Sequence, residues 1–252
     1  MKKKKTKLDY LIIILAPIFV IFLWQVACNR NWINGVLLPS PKRVVTAFQS
    51  LWHSGKYQQH FITSLQRVVL GFSAGVSLGL IFGFFIGLSR KLDDFFSVIF
   101  SILRSIPAIG MIPLLILWFG IGEETKIIVI ALGSFWSVLL NTEHGISGTE
   151  GKLLEVASLL EKKKWTVLTR IVLPSALPAI FTGVRLALSG AWRSVVAAEM
   201  IASMKGIGYL ISYAREMSAP DIMFVGLLTL GLLGLLLDTL LLQLEKKLIQ
   251  WN

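Results

Sequence analysis

Fourteen acidic residues, three histidines and one cysteine are the side chains here that could hold a metal or carry out acid–base or nucleophilic chemistry. Their spacing forms none of the arrays that such chemistry needs. Cys28 is the one cysteine, which excludes an internal disulfide and every multi-cysteine metal motif. It reads as small apolar filler near the end of the first apolar run. His53, His60 and His144 lie outside the apolar runs, with no pair at metal-ligand spacing, and none is assigned chemistry. No Ser–His–acid set or paired carboxylate emerges. The sequence has no Gly-x-x-x-x-Gly-Lys-Ser/Thr loop to cradle ATP, and Gly206-Ile207-Gly208 lacks the strand–helix setting that gives such glycines a phosphate-binding meaning.

What does demand a chemical explanation is charge in apolar surroundings. Arg104, Arg185 and Arg193 fall inside apolar runs, where a charge is costly. Arg104 and Arg185 sit very roughly 15 Å from the inner ends of their runs, at 1.5 Å of helix per residue. The acids in such runs are Glu199, near an outer end, and Asp238, near an inner end, so no acid is expected at the depth of Arg104 and Arg185. Two readings stand: these arginines snorkel or bond carbonyls freed by Pro107 and Pro113, or they form a positive lining that favours an anionic substrate. Arg193 and Glu199 are expected to form a local polar cluster near the outer end. With the neighbouring Trp192, these four charged residues are the pathway candidates.

The elements that hold these residues follow from composition. The chain of 252 residues is 55% apolar and 15% charged, with a mean hydropathy of +0.73, whereas soluble domains carry about 25% charged residues. Several apolar runs reach the roughly 20 residues needed for a helix to cross a bilayer. The expected fold is an all-α membrane protein with about six transmembrane helices, one domain over 1–252. Spans are placed at about 10–28, 67–88, 95–119, 126–142, 175–198 and 222–243.

The formal charge of +11 is distributed as membrane orientation is written, not as a nucleic-acid surface. Lys2, Lys3, Lys4, Lys5 and Lys7 precede the first run, and Arg90, Lys91, Lys152, Lys162, Lys163, Lys164, Arg170, Lys246 and Lys247 fall on the same side. The short loops of the other side carry Lys126, Lys205 and Arg215. The longer outer segment 29–66 is the exception, with Arg30, Lys42, Arg43 and Lys56. Both termini are expected in the cytoplasm. The first run, 10–26, is long for the apolar part of a signal peptide, with no small-residue cleavage site, and reads as a retained helix.

Segment 39–66 carries Val44, Val45, Phe48, Leu51 and Trp52 at helical spacing, which predicts an amphipathic helix along the outer surface. In the second span, Gly71, Gly75, Gly79, Gly83 and Gly87 recur every fourth residue and form a stripe where a neighbouring backbone can approach closely. Pro107 and Pro113 predict a broken third span whose freed carbonyls need partners.

The inner loop 143–174 holds an apolar stripe, Leu153, Leu154, Ala157 and Leu160, flanked by Glu150, Lys152 and Glu155. Such a helix must cover its stripe with lipid headgroups or with a partner protein, and periodicity leaves both open. The loop reads Glu155-Val156-Ala157, three residues, Glu161, nine residues, then Ile171-Val172-Leu173-Pro174. This spacing resembles the "EAA" loop of permeases of binding-protein-dependent type I ABC importers. Glu155, Ala157, Ile171, Leu173 and Pro174 match the pattern, and Val156 and Glu161 depart from it. The family has glycine where Glu161 stands. A non-glycine in a left-handed turn costs roughly 1–2 kcal/mol, so either the turn is strained or the helix continues past it. Further segments are similar to the branch serving sulfonates, taurine and nitrate, among them Leu38-Pro39-Ser40-Pro41, Ser64-Leu65-Gln66-Arg67-Val68, Leu103-Arg104-Ser105-Ile106-Pro107, Ala191-Trp192-Arg193 and Gly206-Ile207-Gly208-Tyr209-Leu210.

The resemblance implies a permease that binds no cofactor itself, ATP and magnesium being held by a partner ATPase. Two permease copies would line one pathway above two ATPase subunits, and an extracytoplasmic binding protein would deliver the solute through the bacterial inner membrane. Glu155, Ala157, Leu160, Glu161, Ile171, Leu173 and Pro174 would couple to the ATPase, and Gly206 and Gly208 would belong to an outer gate. An aliphatic sulfonate or taurine is the first expectation for the solute. Nitrate, bicarbonate, a thiamine-precursor pyrimidine and riboflavin are the alternatives. A polytopic membrane enzyme would need clustered acids or a nucleophile near one interface, and a passive channel would leave the inner loop unexplained.

Overall fold

A chain in lipid must bond every backbone N–H and C=O within its own segments. The computed structural model describes residues 7–30, 32, 34, 35 and 37–248, and these residues are helical with no strand among them. Lys2, Lys3, Lys4 and Lys5, which carry part of the orientation reading, lie outside the described residues. In chain order the helices are α1 (Lys7–Asn29), α2 (Pro41–His53), α3 (Lys56–Leu88) and α4 (Arg90–Ser105). A 3₁₀ turn (Ala108–Met111) leads into α5 (Ile112–Phe119), followed by α6 (Glu123–Ser147) and α7 (Gly151–Leu159). The short α8 (Lys164–Val167) passes through a π turn (Leu168–Val172) into α9 (Leu173–Ala202). Next come α10 (Ile207–Glu216) and α11 (Pro220–Leu248). By length and composition α3, α6, the run Lys164–Ala202 and α11 can cross a membrane, and α4 with the helix after it passes the same test as a pair bent by 80°, a broken span or a re-entrant loop. α1 adds an apolar helix of 23 residues.

Two boundaries differ from the sequence reading, each for a local reason, and the break expected in the third span is present. α2 starts at Pro41, whose fixed φ suits a first helical position, and Ser40 caps it by accepting from the Arg43 N–H. It stops at Ser54 and Gly55, the latter at φ 73°, and the chain restarts at once as α3, at Lys56 and not near residue 67. The third span breaks between Ser105 and Ala108, where Ile106 is extended, as a residue before proline must be. The fifth long helix begins at Lys164, well inside the expected loop. Pro174 can donate no hydrogen bond, and the widened π turn just before it absorbs the gap in the ladder.

The core is built on α6. Four of the five stripe glycines of α3, Gly71, Gly75, Gly79 and Gly83, are buried against it, and Gly87 is half-buried there. A Cβ on Gly71 would sit 2.6 Å from Ile130 Cβ, one on Gly79 2.8 Å from Val138 Cβ, and one on Gly87 2.8 Å from Ile146 Cβ. The register rises in step on both helices, so α3 and α6 run parallel. On the other side α9 runs antiparallel to α6: Gly145 meets Ala176 and Ala179, Gly183 meets Asn141, and Gly190 touches Gly133 backbone to backbone. Small residues thus let three helices approach on two seams. Apolar clusters fill between them, with Val68, Ile130, Ala191 and Val195 in one layer and Ile146, Val172 and Ala176 toward the C-terminal end of α6. α2 lays Val44 and Leu51 on Leu210 and Val225, with Trp24 of α1 alongside. Its Val45, Phe48 and Trp52 face outward.

Candidate functional site

At one end of the bundle, α7 closes with two reciprocal bonds: Lys162 N–H donates to Ala157 O at 3.0 Å and Glu161 N–H to Ser158 O at 3.0 Å. This is the Schellman arrangement, which requires the residue at Glu161 to be left-handed, and Glu161 has φ 47°. The helix therefore ends here and the turn carries the strain. Ala157 is 3% exposed and faces into the chain. The outward apolar face is therefore Leu153, Val156, Leu159 and Leu160, with Leu159 84% exposed, and not the stripe expected through Ala157. Trp165, 72% exposed, follows just beyond. Glu155 and Glu161 are exposed at its edge, whereas Ile171, Leu173 and Pro174 are half-buried in the turns that root the loop in α9.

At the opposite end of the bundle, one guanidinium ties three helices together. Arg67 of α3 donates Nε and Nη2 to the two oxygens of Glu123, each at 2.6 Å. Its Nη1 donates to Glu199 Oε1 at 2.9 Å and to Lys205 O at 2.7 Å. Lys126 Nζ also reaches Glu123 at 2.9 Å. The Glu199 carboxylate, 1% exposed, accepts from Ser64 Oγ at 2.8 Å and from the Gly208 N–H at 2.9 Å. Ser64 Oγ accepts from the Ile207 N–H at 2.8 Å, and His60 Nδ1 accepts from the Gly206 N–H at 3.1 Å. Gly206 has φ 115°, and a Cβ there would collide with the Glu199 carboxylate. The start of α10 is thus clamped onto α3 and α9 by fully satisfied buried polar groups, the condition under which such groups rigidify a fold.

This geometry corrects two expectations. Arg193 and Glu199 do not form a cluster: Arg193 is exposed and its Nε bonds only the Ser189 carbonyl, at 3.2 Å, while Glu199 belongs to Arg67. Nor is Arg185 without an acid at its depth. Its Nε lies 3.2 Å from Asp238 Oδ1 and its Nη1 3.5 Å from Glu245 Oε2, because α11 runs on to Leu248 and brings both acids alongside α9. The sequence reading assigned no site role to His60, Ser64, Arg67 or Glu123. Positions 60, 64 and 67 fall on one face of a helix, and that spacing is the signal that could have found three of them.

Trp192 donates Nε1 to Leu230 O at 2.9 Å and, with Leu188, Ser189, Arg193, Gly234 and Asp238, lines a cleft of about 510 Å³ between α9 and α11. Arg104 is exposed on α4 and reaches only Ser101 Oγ, at 3.4 Å. Among the described residues Arg104 and Arg193 make no ion pair, and no three His, Cys, Asp or Glu side chains converge as a metal site.

The sequence pattern of the family described as binding-protein-dependent transport system inner membrane component matches residues 75–250. A Bacillus subtilis protein named as an aliphatic sulfonates transport permease, SsuC, is 39% identical over 95% of this chain and 87% of its own length. Its Escherichia coli namesake is 40% identical over 94% of this chain and 90% of its own. Among solved structures, the inward-facing MetNI methionine ABC transporter superposes with a TM-score of 0.59 at 19% identity, over 74% of this chain and 91% of that one, which speaks to the fold alone.

Proposed function

The chain belongs to the family of binding-protein-dependent transport system inner membrane components, and from that membership we propose that it forms, as one permease domain, the solute route of an ATP-driven importer in a bacterial cytoplasmic membrane. It is a membrane-embedded transport subunit rather than an enzyme, with a permease role for a small solute, and in such importers nucleotide is bound by a partner ATPase. Two copies would pair over two ATPase subunits, with both termini on the ATPase side and a binding protein delivering solute from outside.

The observation that carries this reading is the outward apolar face of α7. Leu153, Val156, Leu159 and Leu160 stand clear of the bundle on an element whose inner side is rooted through Ala157 and the π turn. A water-facing patch of that kind marks an interaction site, and the loop 143–174 would be where the ATPase pushes.

For the solute, the proposal is an aliphatic sulfonate. The relatives named for sulfonates support it, and so does Arg193, a cation without an acid partner beside Trp192 in the α9–α11 cleft. An unpaired guanidinium matches the oxygens of a planar or tetrahedral anion. The test is uptake of a radiolabelled alkanesulfonate into vesicles that hold the chain, its ATPase and its binding protein. Uptake is expected only with ATP, and unlabelled sulfonate should compete well ahead of nitrate, bicarbonate or riboflavin. Uptake that ignores sulfonate and yields to riboflavin would overturn the solute assignment.

A further inference from the structure

The return between α3 and α6 holds a feature that the coupling helix and the α9–α11 cleft do not use. Because α3 and α6 run parallel, the chain must travel back across the membrane between Leu88 and Gly122. α4 makes most of that return. Its 16 residues span about 24 Å at 1.5 Å each. Part-way along it, Phe100 meets Trp136 of α6 with ring centroids 5.5 Å apart. At its far end the chain turns so that Ile112 and Leu115 reach Val129 and Ala198, near the outer ends of α6 and α9. α4 therefore crosses the apolar layer and does not lie along its surface.

A helix in that position should be apolar wherever it meets lipid, and one side of α4 is not. Arg90, Asp94, Ser97, Ser101 and Arg104 recur at intervals of four, three, four and three residues, which keeps them on one face from end to end. No residue of α4 is buried. Ser97 Oγ bonds its own helix at Asp94 O, 3.0 Å away, and Arg104 reaches only Ser101 within the same stripe. Among the described residues no other element covers this face. The remaining circumference divides in two. Phe96 and Phe100 turn toward α6 through their stacked rings and Trp136, and Phe95, Val98 and Ile102 stand more than 60% exposed on the far side, as lipid-facing residues should. The polar stripe lies between a protein-packed side and a lipid side. Charges and hydroxyls that run through a bilayer face the interior of an assembly or a water-filled cavity, and not lipid.

We propose that the polar stripe of α4 is a wall of the water-filled solute route, with Ser97, Ser101 and Arg104 as contacts for an anionic solute. This rests on the permease reading above and adds the element and residues that line the route.

The test uses single cysteines in a Cys28→Ser background, in sealed vesicles holding the complete importer. Ser97→Cys and Ser101→Cys probe the stripe, and Val98→Cys and Ile102→Cys probe the lipid side. The probe is a small charged methanethiosulfonate. The stripe variants should react about ten times faster than the lipid-side pair, since only a hydrated thiol forms the reactive thiolate, and an alkanesulfonate should slow the reaction at Ser101→Cys. Equal rates on both faces, or an unlabelled Ser101→Cys that instead forms a disulfide between two copies of the chain, would overturn the proposal. Co-purification of the ATPase with each variant separates the two levels. Variants that retain the ATPase but leave the stripe unlabelled sink this inference alone, whereas a chain that never retains an ATPase sinks the permease reading and this one with it.

Discussion

At the scale of single residues, Arg67 holds more of the outer end together than any other side chain. Its bonds to Glu123 are partly screened, since that carboxylate is 58% exposed, and screened pairs contribute little. Its bond to Glu199 is different, because both side chains are buried. Removing one member of a buried pair strands the other charge, at about 3–5 kcal/mol. Arg67→Met leaves Glu199 with hydrogen bonds from Ser64 and Gly208 but no cation. Glu199→Gln instead keeps an acceptor for those donors and leaves Arg67 its bonds to Glu123 and Lys205. In detergent, Arg67→Met is therefore expected to unfold at a clearly lower temperature than Glu199→Gln, read from thermal melts followed by size-exclusion chromatography. The opposite order would mean that the cluster is held mainly by the bonds of Ser64 and Gly208 to the Glu199 carboxylate, and not by Arg67. Glu161 is a second residue under constraint: its left-handed backbone costs about 1–2 kcal/mol that glycine would not, and α7 ends there all the same because the Schellman bonds need the turn.

At the scale of elements, the glycine stripe of α3 sets how close two parallel helices come. Gly79 lies where a Cβ would approach Val138 Cβ to 2.8 Å and Phe135 O to 2.9 Å, and neither a β-carbon nor a helix carbonyl can step aside. Gly79→Val should push α3 from α6, at the 1–3 kcal/mol typical of overpacking or more, and is expected to reduce the yield of folded protein in the membrane several-fold relative to Gly231→Val, where nothing lies within 4 Å. Equal yields would show that the seam can open without penalty. The stripe was legible in the sequence because glycine every fourth residue in an apolar run has few other uses. The α6–α9 seam was not, because Gly133, Gly145, Gly183 and Gly190 are irregularly spaced and only the fold brings them face to face. The same holds for charge pairs. Arg185 and Asp238 stand 53 residues apart, and their pairing depends on how far α11 extends, the quantity that hydropathy fixes least well. The start of the fifth long helix was hidden for a related reason: Lys162, Lys163 and Lys164 read as a loop, while the helix begins at the last of them.

At the scale of the whole molecule, the chain divides its tasks by depth. The end that holds Arg67 is locked by buried hydrogen bonds, the middle is packed by small residues, and the opposite end exposes the apolar helix α7. In the proposed importer, a push on α7 would pass through the π turn into α9, and from α9 through Glu199 to the clamp on α10. Such coupling needs a ligand or partner that favours one of two arrangements, and for this chain that partner is proposed to be the ATPase. The measurement that bears most directly on this is a photo-activated cross-linker placed at Leu159, the most exposed apolar side chain of α7, in cells that make the complete importer. The expected product is an adduct between this chain and the ATPase subunit, absent when the cross-linker is moved to Met204 at the outer end. A cross-linker at Leu159 that captures no ATPase while the importer still takes up its solute would contradict the assignment of α7 as the coupling element.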